Sequence, residues 1–253
     1  MKTAHLEDLE FEAIRPHLFQ SWVRFLSAQL RPFHDHGFEP SLFITREILQ
    51  MANYQAHFPH QLFSAASVDG SFNRFVTPAA CLHVYADLAG SVVQQYATLG
   101  MAHCARYENG QWDIPYRRPD FHMLELVTLG DRTVVEERIR EMRTLLTRLL
   151  TDLGFIGCFQ PATDAFFLGE DEGAQRIQKL KGLKQEFVVD DGGPVALCSI
   201  NNHEDFFGSR FTIRSESGMA HSCCVAFGIE RLVAYSLKHW GPYPHAWPAI
   251  FIA

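Results

Sequence analysis

Two adjacent cysteines, a small-residue apolar run and a single arginine come together in one stretch of this chain. It reads Gly218-Met-Ala-His-Ser-Cys-Cys-Val-Ala-Phe-Gly-Ile-Glu-Arg231, and a helical pattern, Leu232 to Trp240, follows. An arginine presents a planar donor fork that matches phosphate oxygens or stacks on a base. An apolar strand that turns at a glycine and opens a helix with an arginine is therefore well placed to hold a phosphate-bearing ligand. A buried strand running into a surface helix gives the same pattern, and that plain structural reading stands until other segments agree.

A second set of reactive residues lies upstream. Met101 to Glu108 reads as a strand closing on Arg106-Tyr107-Glu108. A polar, proline-containing loop, Asn109 to Asp120, carries Arg117 and Arg118 at its tip. The chain returns as Phe121-His-Met-Leu-Glu-Leu-Val-Thr-Leu-Gly130. Strand, charged loop and strand predict an antiparallel hairpin. Glu125 falls inside its otherwise apolar second strand, and a buried charge is costly unless it is paired or binds metal; an exposed edge position is the alternative. The sequence has no Gly-x-Gly-x-x-Gly, Walker loop, His-Glu-x-x-His, Gly-x-Ser-x-Gly or Cys-x-x-Cys. An ATP user without a P-loop must hold phosphates with discrete arginines and metal ions, and Arg106 and Arg231 are available for that. His57 and His60 sit among aromatics and read as packing residues.

The elements that must position these groups follow from periodicity. Residues 5 to 31 repeat apolar side chains every three or four positions, as an amphipathic helix does, with Pro32 and Gly37 beyond its end. Leu42 to Ala52 is a second helical pattern, with Ser41 or Thr45 as its N-cap. Asn53 to Phe63 is an aromatic-rich turn around Pro59. Phe72 to Tyr85 reads as loop then strand, with Cys81 in the apolar part. Asp131 to Leu153 is the clearest helix: Val134, Val135, Ile139, Met142, Leu145, Leu146, Leu149 and Leu150 form one stripe and Gly154 stops it. Phe155 to Asp164, Gln185 to Asp190 and Pro194 to Asn202 read as strands. One long helix among many strands predicts an α+β fold with a mostly antiparallel sheet flanked by helices. A single domain, 1–253, is expected, with 168–184 as a small helical insertion.

Composition bounds the partners. The 253 residues are 47% hydrophobic and 20% charged, ordinary for a globular chain with ample core. A net charge of -7 argues against a surface built mainly to grip nucleic-acid backbone. The six cysteines lack disulfide-framework spacing, the N-terminus is too acidic for a signal peptide, and no stretch approaches the roughly 18 apolar residues of a spanning helix. A reducing cytoplasm with free or metal-bound thiols is the expected setting, with no membrane partner.

Taken in order, these segments resemble the catalytic core of a class II aminoacyl-tRNA synthetase, and among its relatives the amino acid:[carrier protein] ligases, kin of the atypical seryl-type enzymes. Phe58-Pro59-His60 after Asn53-Tyr54 resembles motif 1, Arg106-Tyr107-Glu108 with Phe121 to Glu125 resembles motif 2, and Phe227-Gly228-Ile-Glu230-Arg231 resembles motif 3. Thr163-Asp164-Ala-Phe-Phe, Lys184-Gln-Glu-Phe and Ser199 to Gly208 resemble segments around the amino-acid pocket. The similarity spans roughly residues 40 to 240.

The resemblance implies roles. Arg106 would contact the ATP α-phosphate and the substrate carboxylate, Glu108 the adenine amino group, and Arg231 would stack on adenine and reach the γ-phosphate. Glu186 and Ser199 would lie on the Mg²⁺ side, and Asp164 would receive the substrate ammonium. Cys81, Glu125 and Cys224 match the family's zinc ligands. Cys223 would point to the opposite face of its strand. Ala226 stands where motif 3 usually has glycine. The implied activity is ATP-dependent activation of a small amino acid, with transfer to the phosphopantetheine thiol of an acidic carrier protein. The basic segment Arg176 to Lys184, with Lys179 and Lys181, reads either as a docking surface for such a carrier or as a solvated helix face. A homodimer is implied by motif 1. The absence of a long coiled-coil arm, with the negative charge, argues against tRNA charging. Transfer to a free amine, or a non-catalytic paralogue that binds a partner or senses an amino acid, are the competing readings; intact Arg106, Glu108 and Arg231 argue against the last.

Overall fold

The computed structural model describes residues 6–162 and 182–252, with side chains from residue 14. Asp164, Arg176, Lys179 and Lys181 lie outside the described residues, as does most of the 168–184 segment. Among the described residues the chain forms a seven-stranded sheet in the order β1-β5-β6-β12-β9-β8-β7. Its strands are β1 (His36–Phe38), β5 (Gln95–Ala105), β6 (Asp120–Gly130), β7 (Gly157–Pro161), β8 (Lys184–Asp190), β9 (Pro194–Glu204) and β12 (His221–Gly228). Every neighbouring pair is antiparallel except β1 with β5. The cysteine-bearing stretch thus becomes the central strand. The expected α+β fold with a mostly antiparallel sheet is the one observed.

Alternation of side chains gives the sheet two unlike faces. One is covered by α1 (Leu6–Leu30), α5 (Arg132–Asp152) and α7 (Ile229–Trp240). Leu18, Trp22, Leu26, Met142, Leu146, Phe227 and Leu232 are completely or almost completely buried there. On α1, Leu18, Trp22, Phe25, Leu26 and Leu30 make the stripe that the sequence spacing predicted. Trp22 also donates from Nε1 to Ser236 Oγ of α7 at 3.0 Å, so the one polar atom of that large side chain is satisfied inside the core. The long helix α5 ends as expected at Gly154, whose φ of 82° allows Phe155 N–H to reach back to Leu150 O at 3.0 Å.

The other face is partly roofed by α4 (Cys81–Asp87) and α6 (Phe206–Phe211) and is otherwise an open cleft. A three-stranded antiparallel ribbon, β2 (Phe43–Ile44), β4 (Asn73–Val76) and β3 (Ser64–Ala66), stands beside it. Short pieces complete the described fold: α2 (Arg46–Met51), α3 (Tyr54–His57), β10 (Arg214–Ser215), β11 (Gly218–Met219) and α8 (Ala249–Ile252).

The structure corrects four expectations. The Leu42 to Ala52 pattern is strand then helix, because Thr45 caps α2 by accepting from Ile48 N at 3.3 Å and leaves Phe43–Ile44 to pair with β4. Cys81 opens a helix rather than lying in a strand: the chain turns after Thr77-Pro78, and Cys81, Leu82, Val84 and Tyr85 bury one helical stripe. The first hairpin strand begins at Gln95, not Met101, and pairs with β6 over its whole length. Lys184, expected at the end of a docking surface, instead starts β8 with its side chain 13% exposed. Missed altogether was β1, whose parallel approach to β5 requires Gly100: a Cβ there would lie 2.4 Å from Phe38 O.

Candidate active site

Three rows of paired residues cross the open face. One row runs Glu186, Ser199, Ala226, Glu125 and Gly100 across β8, β9, β12, β6 and β5. A second runs Lys184, Asn201, Cys224 and Val127. Toward the other end of the strands, Gly228, Met123 and Ala102 form the third. Ala226 flanks Glu125 on one side with only a methyl group, and on the other the Phe38 ring lies over Gly100. The cleft over these rows is lined by Arg106, Glu108, Arg231, Glu186, Ser199 and the Cys81–Glu125–Cys224 group, among others.

Glu125 is 1% exposed, so the edge alternative fails. Its two oxygens accept the backbone N–H groups of Ala80 and Cys81, each at 3.0 Å, at the start of α4. The Cys224 thiol donates to Oε2 at 3.1 Å. Cys81, Glu125 and Cys224 offer ligand atoms that all lie within 4.8 Å of one another, and all three are buried. Burial, followed by the neighbouring Cys81 thiol and the Glu125 carboxylate, holds the Cys224 thiol well above its usual range. A divalent cation would reverse that balance by stabilising thiolate and carboxylate together, and two sulfurs with one carboxylate suit zinc. The donor set therefore fits a metal. Cys223 lies on the other face, near Arg138 and Thr128, and burial pushes its thiol up to about 12.

Arg106 and Glu108 leave the end of β5. Arg106 N–H closes the base of the following connection on Pro119 O at 2.8 Å. Its guanidinium donates from Nε to Pro78 O at 3.0 Å and lies 5.3 Å over the Phe121 ring. Tyr107 N–H reaches Gln61 O at 3.0 Å, and Gln61 Oε1 accepts from Tyr54 at 2.6 Å. The Asn53–Phe63 segment thus buttresses this connection within the chain, with His57 and His60 in aromatic packing as expected. Arg117 Nε stands 3.2 Å from Glu108 Oε2 but off the hydrogen-bond direction, so that buried oxygen still lacks a hydrogen bond. Arg231, in the first turn of α7, donates from Nε to Tyr116 O at 3.0 Å and from Nη1 to Ala196 O at 2.8 Å. Burial pulls its pKa down, partly offset by Glu186. Glu186 itself pairs with Lys184 at 3.0 Å.

Four further residues at the site have no individual role from sequence, although Asn201 and His203 fall in the Ser199 to Gly208 segment and Glu230 in the motif 3 match. Asn201 is 6% exposed; its Nδ2 donates to Ser199 Oγ (3.1 Å) and Cys224 O (3.4 Å), while its buried Oδ1 has no partner. His203 bonds Tyr85 through Nδ1 at 2.8 Å, and burial holds it neutral with a pKa near about 3. Both stand in the polar end of their strand, unlike Glu125, which stands out against an apolar run. Glu230 accepts His122 N–H at 2.8 Å and lies 2.6 Å from His122 Nδ1, tying the start of α7 to β6. Tyr116 had no distinguishing signal at all.

No family model matches the chain. In sequence it is similar to two proteins of Bradyrhizobium diazoefficiens. With amino acid–[acyl-carrier-protein] ligase 1 it shares 27% identity, covering 97% of this chain and 87% of that protein; with ligase 2 it shares 27%, covering 81% and 70%. In fold it is similar to an M. kandleri SerRS solved with A. aeolicus tRNASec (TM-score 0.82, 18% identity, 94% of this chain and 55% of that one). It is also similar to a Giardia lamblia prolyl-tRNA synthetase with prolyl-adenylate (TM-score 0.70, 12% identity, 98% and 50%). The chain spans about half the length of these solved structures. Its fold is that of the class II aminoacyl-tRNA synthetase catalytic core, and the resemblance to carrier-protein ligases drawn from its motifs agrees with the named relatives.

Proposed function

We propose that this chain is an amino acid:[carrier protein] ligase, which activates a small amino acid with ATP and passes the aminoacyl group to the phosphopantetheine thiol of an acidic carrier protein. The observation that carries this reading is one cleft holding both a nucleotide-type set, Arg106, Glu108 and Arg231, and a buried Cys81–Glu125–Cys224 group.

Arg106 neutralises charge on the α-phosphate and the substrate carboxylate as the carboxylate attacks phosphorus and pyrophosphate leaves; fixed donors aimed at developing charge are the strongest catalytic device available here. Glu108, whose Oε2 faces Arg117 without a hydrogen bond, takes the adenine amino group. Arg231, with two donors already fixed on main-chain carbonyls, keeps the rest of its fork for adenine and the γ-phosphate. Glu186 and Ser199, paired across β8 and β9, serve the Mg²⁺ side. Cys81, Glu125 and Cys224 would hold zinc, which when bound supplies an electrophilic position for the substrate amine. Asn201 Oδ1 offers that amine a hydrogen-bond acceptor, and Asp164 receives the ammonium on entry. The reading includes a homodimer, a cytoplasmic setting and a carrier protein rather than tRNA as acceptor. Among the described residues no helix is long and apolar enough to cross a membrane.

The test is amino-acid-dependent ATP–pyrophosphate exchange across all twenty amino acids, followed by mass detection of the aminoacyl group on a phosphopantetheinylated carrier. Exchange with glycine, alanine or serine and a mass shift on the carrier are expected. No exchange with any amino acid would remove the enzyme reading; exchange without transfer would remove the carrier alone.

A further inference from the structure

The connection that follows β5 is tied to α7 at two points, both through Tyr116. Its carbonyl accepts Arg231 Nε at 3.0 Å. Its hydroxyl donates to Asp191 Oδ2, and Asp191 Oδ1 lies 2.5 Å from Lys238 Nζ. Arg231 and Lys238 are two helical turns apart on the same helix, so the connection grips α7 at one end directly and further along through Asp191. Asp191 is itself held in place: it sits in the β8–β9 turn, where Asp190 Oδ1 accepts Gly192 N–H and Gly193 N–H at 3.2 and 3.1 Å. The Tyr116 ring packs on the main apolar core. Neither the Tyr116 hydroxyl nor Asp191 is itself part of the Arg106, Glu108 and Arg231 set, yet together they fix the carbonyl on which Arg231 rests.

We propose that Tyr116 and Asp191 are positioning residues for nucleotide binding, holding the connection so that the Arg231 guanidinium stays aimed along the cleft; this rests on the reading of Arg231 as an ATP-binding residue. The guanidinium has five N–H groups in a rigid fork, and fixing Nε and Nη1 on carbonyls sets the plane of the remaining donors. A fork oriented before the ligand arrives need not lose that freedom on binding. Lys238 is 63% exposed, so its ion pair alone contributes little. Its effect is on Asp191: Lys238 first, and Tyr116 second, hold that carboxyl below its usual range, so it remains an acceptor for the tyrosine.

Mg·ATP binding by calorimetry tests the proposal, on wild type, Tyr116→Phe, Asp191→Ala and the double variant, with amino-acid KM and thermal midpoint measured alongside. Loss of one hydrogen bond that orients Arg231 weakens ATP binding by roughly three- to tenfold. The double variant should be no weaker than Asp191→Ala, since both break one latch. Amino-acid KM should stay within about twofold, and Lys238→Arg should bind ATP as wild type does. Wild-type ATP affinity in Tyr116→Phe, additive losses in the double variant, or ATP affinity and amino-acid KM deteriorating together with the midpoint would each overturn it. A wild type that binds no ATP would instead overturn the functional reading beneath it.

Discussion

Cys223 and Cys224 are neighbours in one strand and have opposite surroundings. Cys223 is sealed beneath α5 on the apolar face, while Cys224 meets Glu125 and Cys81 at the floor of the cleft. The whole sheet repeats this contrast. On the helix-covered face, Leu124, Leu126, Val225 and Phe227 bury apolar surface and hold the strands in register. On the open face these strands and their neighbours β8 and β9 present Glu125, Cys224, Ser199, Asn201 and Glu186, of which the carboxylates and the amide are groups that burial alone would disfavour. Stability and chemistry are thus separated by a step of one residue. Substitutions on either side of that step should separate in the same way.

The largest expected effect lies on the apolar face. Phe227→Ala should cost about 3–5 kcal/mol in denaturant unfolding, since a completely buried ring leaves a cavity; a loss below about 1 kcal/mol would break the contrast. On the open face, Arg106→Ala should lower pyrophosphate exchange by about 10²–10³-fold, the scale of removing a positioned charge-stabilising donor. Its thermal midpoint should barely move by comparison, and a large midpoint drop would make Arg106 a structural residue. For the cysteine pair, Cys224→Ser should lose zinc on dialysis by on the order of a hundredfold in affinity, about 2.7 kcal/mol. Cys223→Ser should keep zinc and lose only about 1 kcal/mol of stability. Equal zinc loss in both would collapse the distinction.

His203 sharpens the comparison at the boundary, because it lines the cleft yet is buried as deeply as the core. Burial lowers its pKa to about 3, below the unfolded value of roughly 6.5. Protonation therefore favours unfolding. The contribution is present in full above about pH 6.5 and is lost as pH falls from there through about 3, at up to about 1.4 kcal/mol per pH unit. His203→Asn should flatten the stability curve between pH 6.5 and 4.5 while keeping an acceptor for Tyr85. Parallel curves for variant and wild type would show that His203 is not the titrating group.

How far the sequence reached follows the same division. The apolar stripes of α1 and α5, the hairpin around the charged loop and the central strand were legible because period and burial coincide there. Cys81 was misplaced because its apolar residues fit both a short strand and one helical stripe, and only the packing of Leu82, Val84 and Tyr85 decides between them. The charge of Lys184 suggests a surface position, although its partner Glu186 lies two residues on and draws it into the cleft lining. The short parallel strand β1 left no pattern, being three residues long. In the cleft, residues matching a motif could be named from sequence. Tyr116 and Asp191 could not, because their roles come from contacts between segments distant in the chain.

Activation as proposed requires the two halves of the cleft to work as one site. The most direct measurement takes one preparation of the whole chain and determines both its zinc content and its ATP–pyrophosphate exchange with small amino acids, before and after chelation. The expected result is one zinc ion per chain, exchange with a small amino acid, and loss of exchange on chelation that added zinc restores. Full exchange from metal-free protein would contradict the joint site.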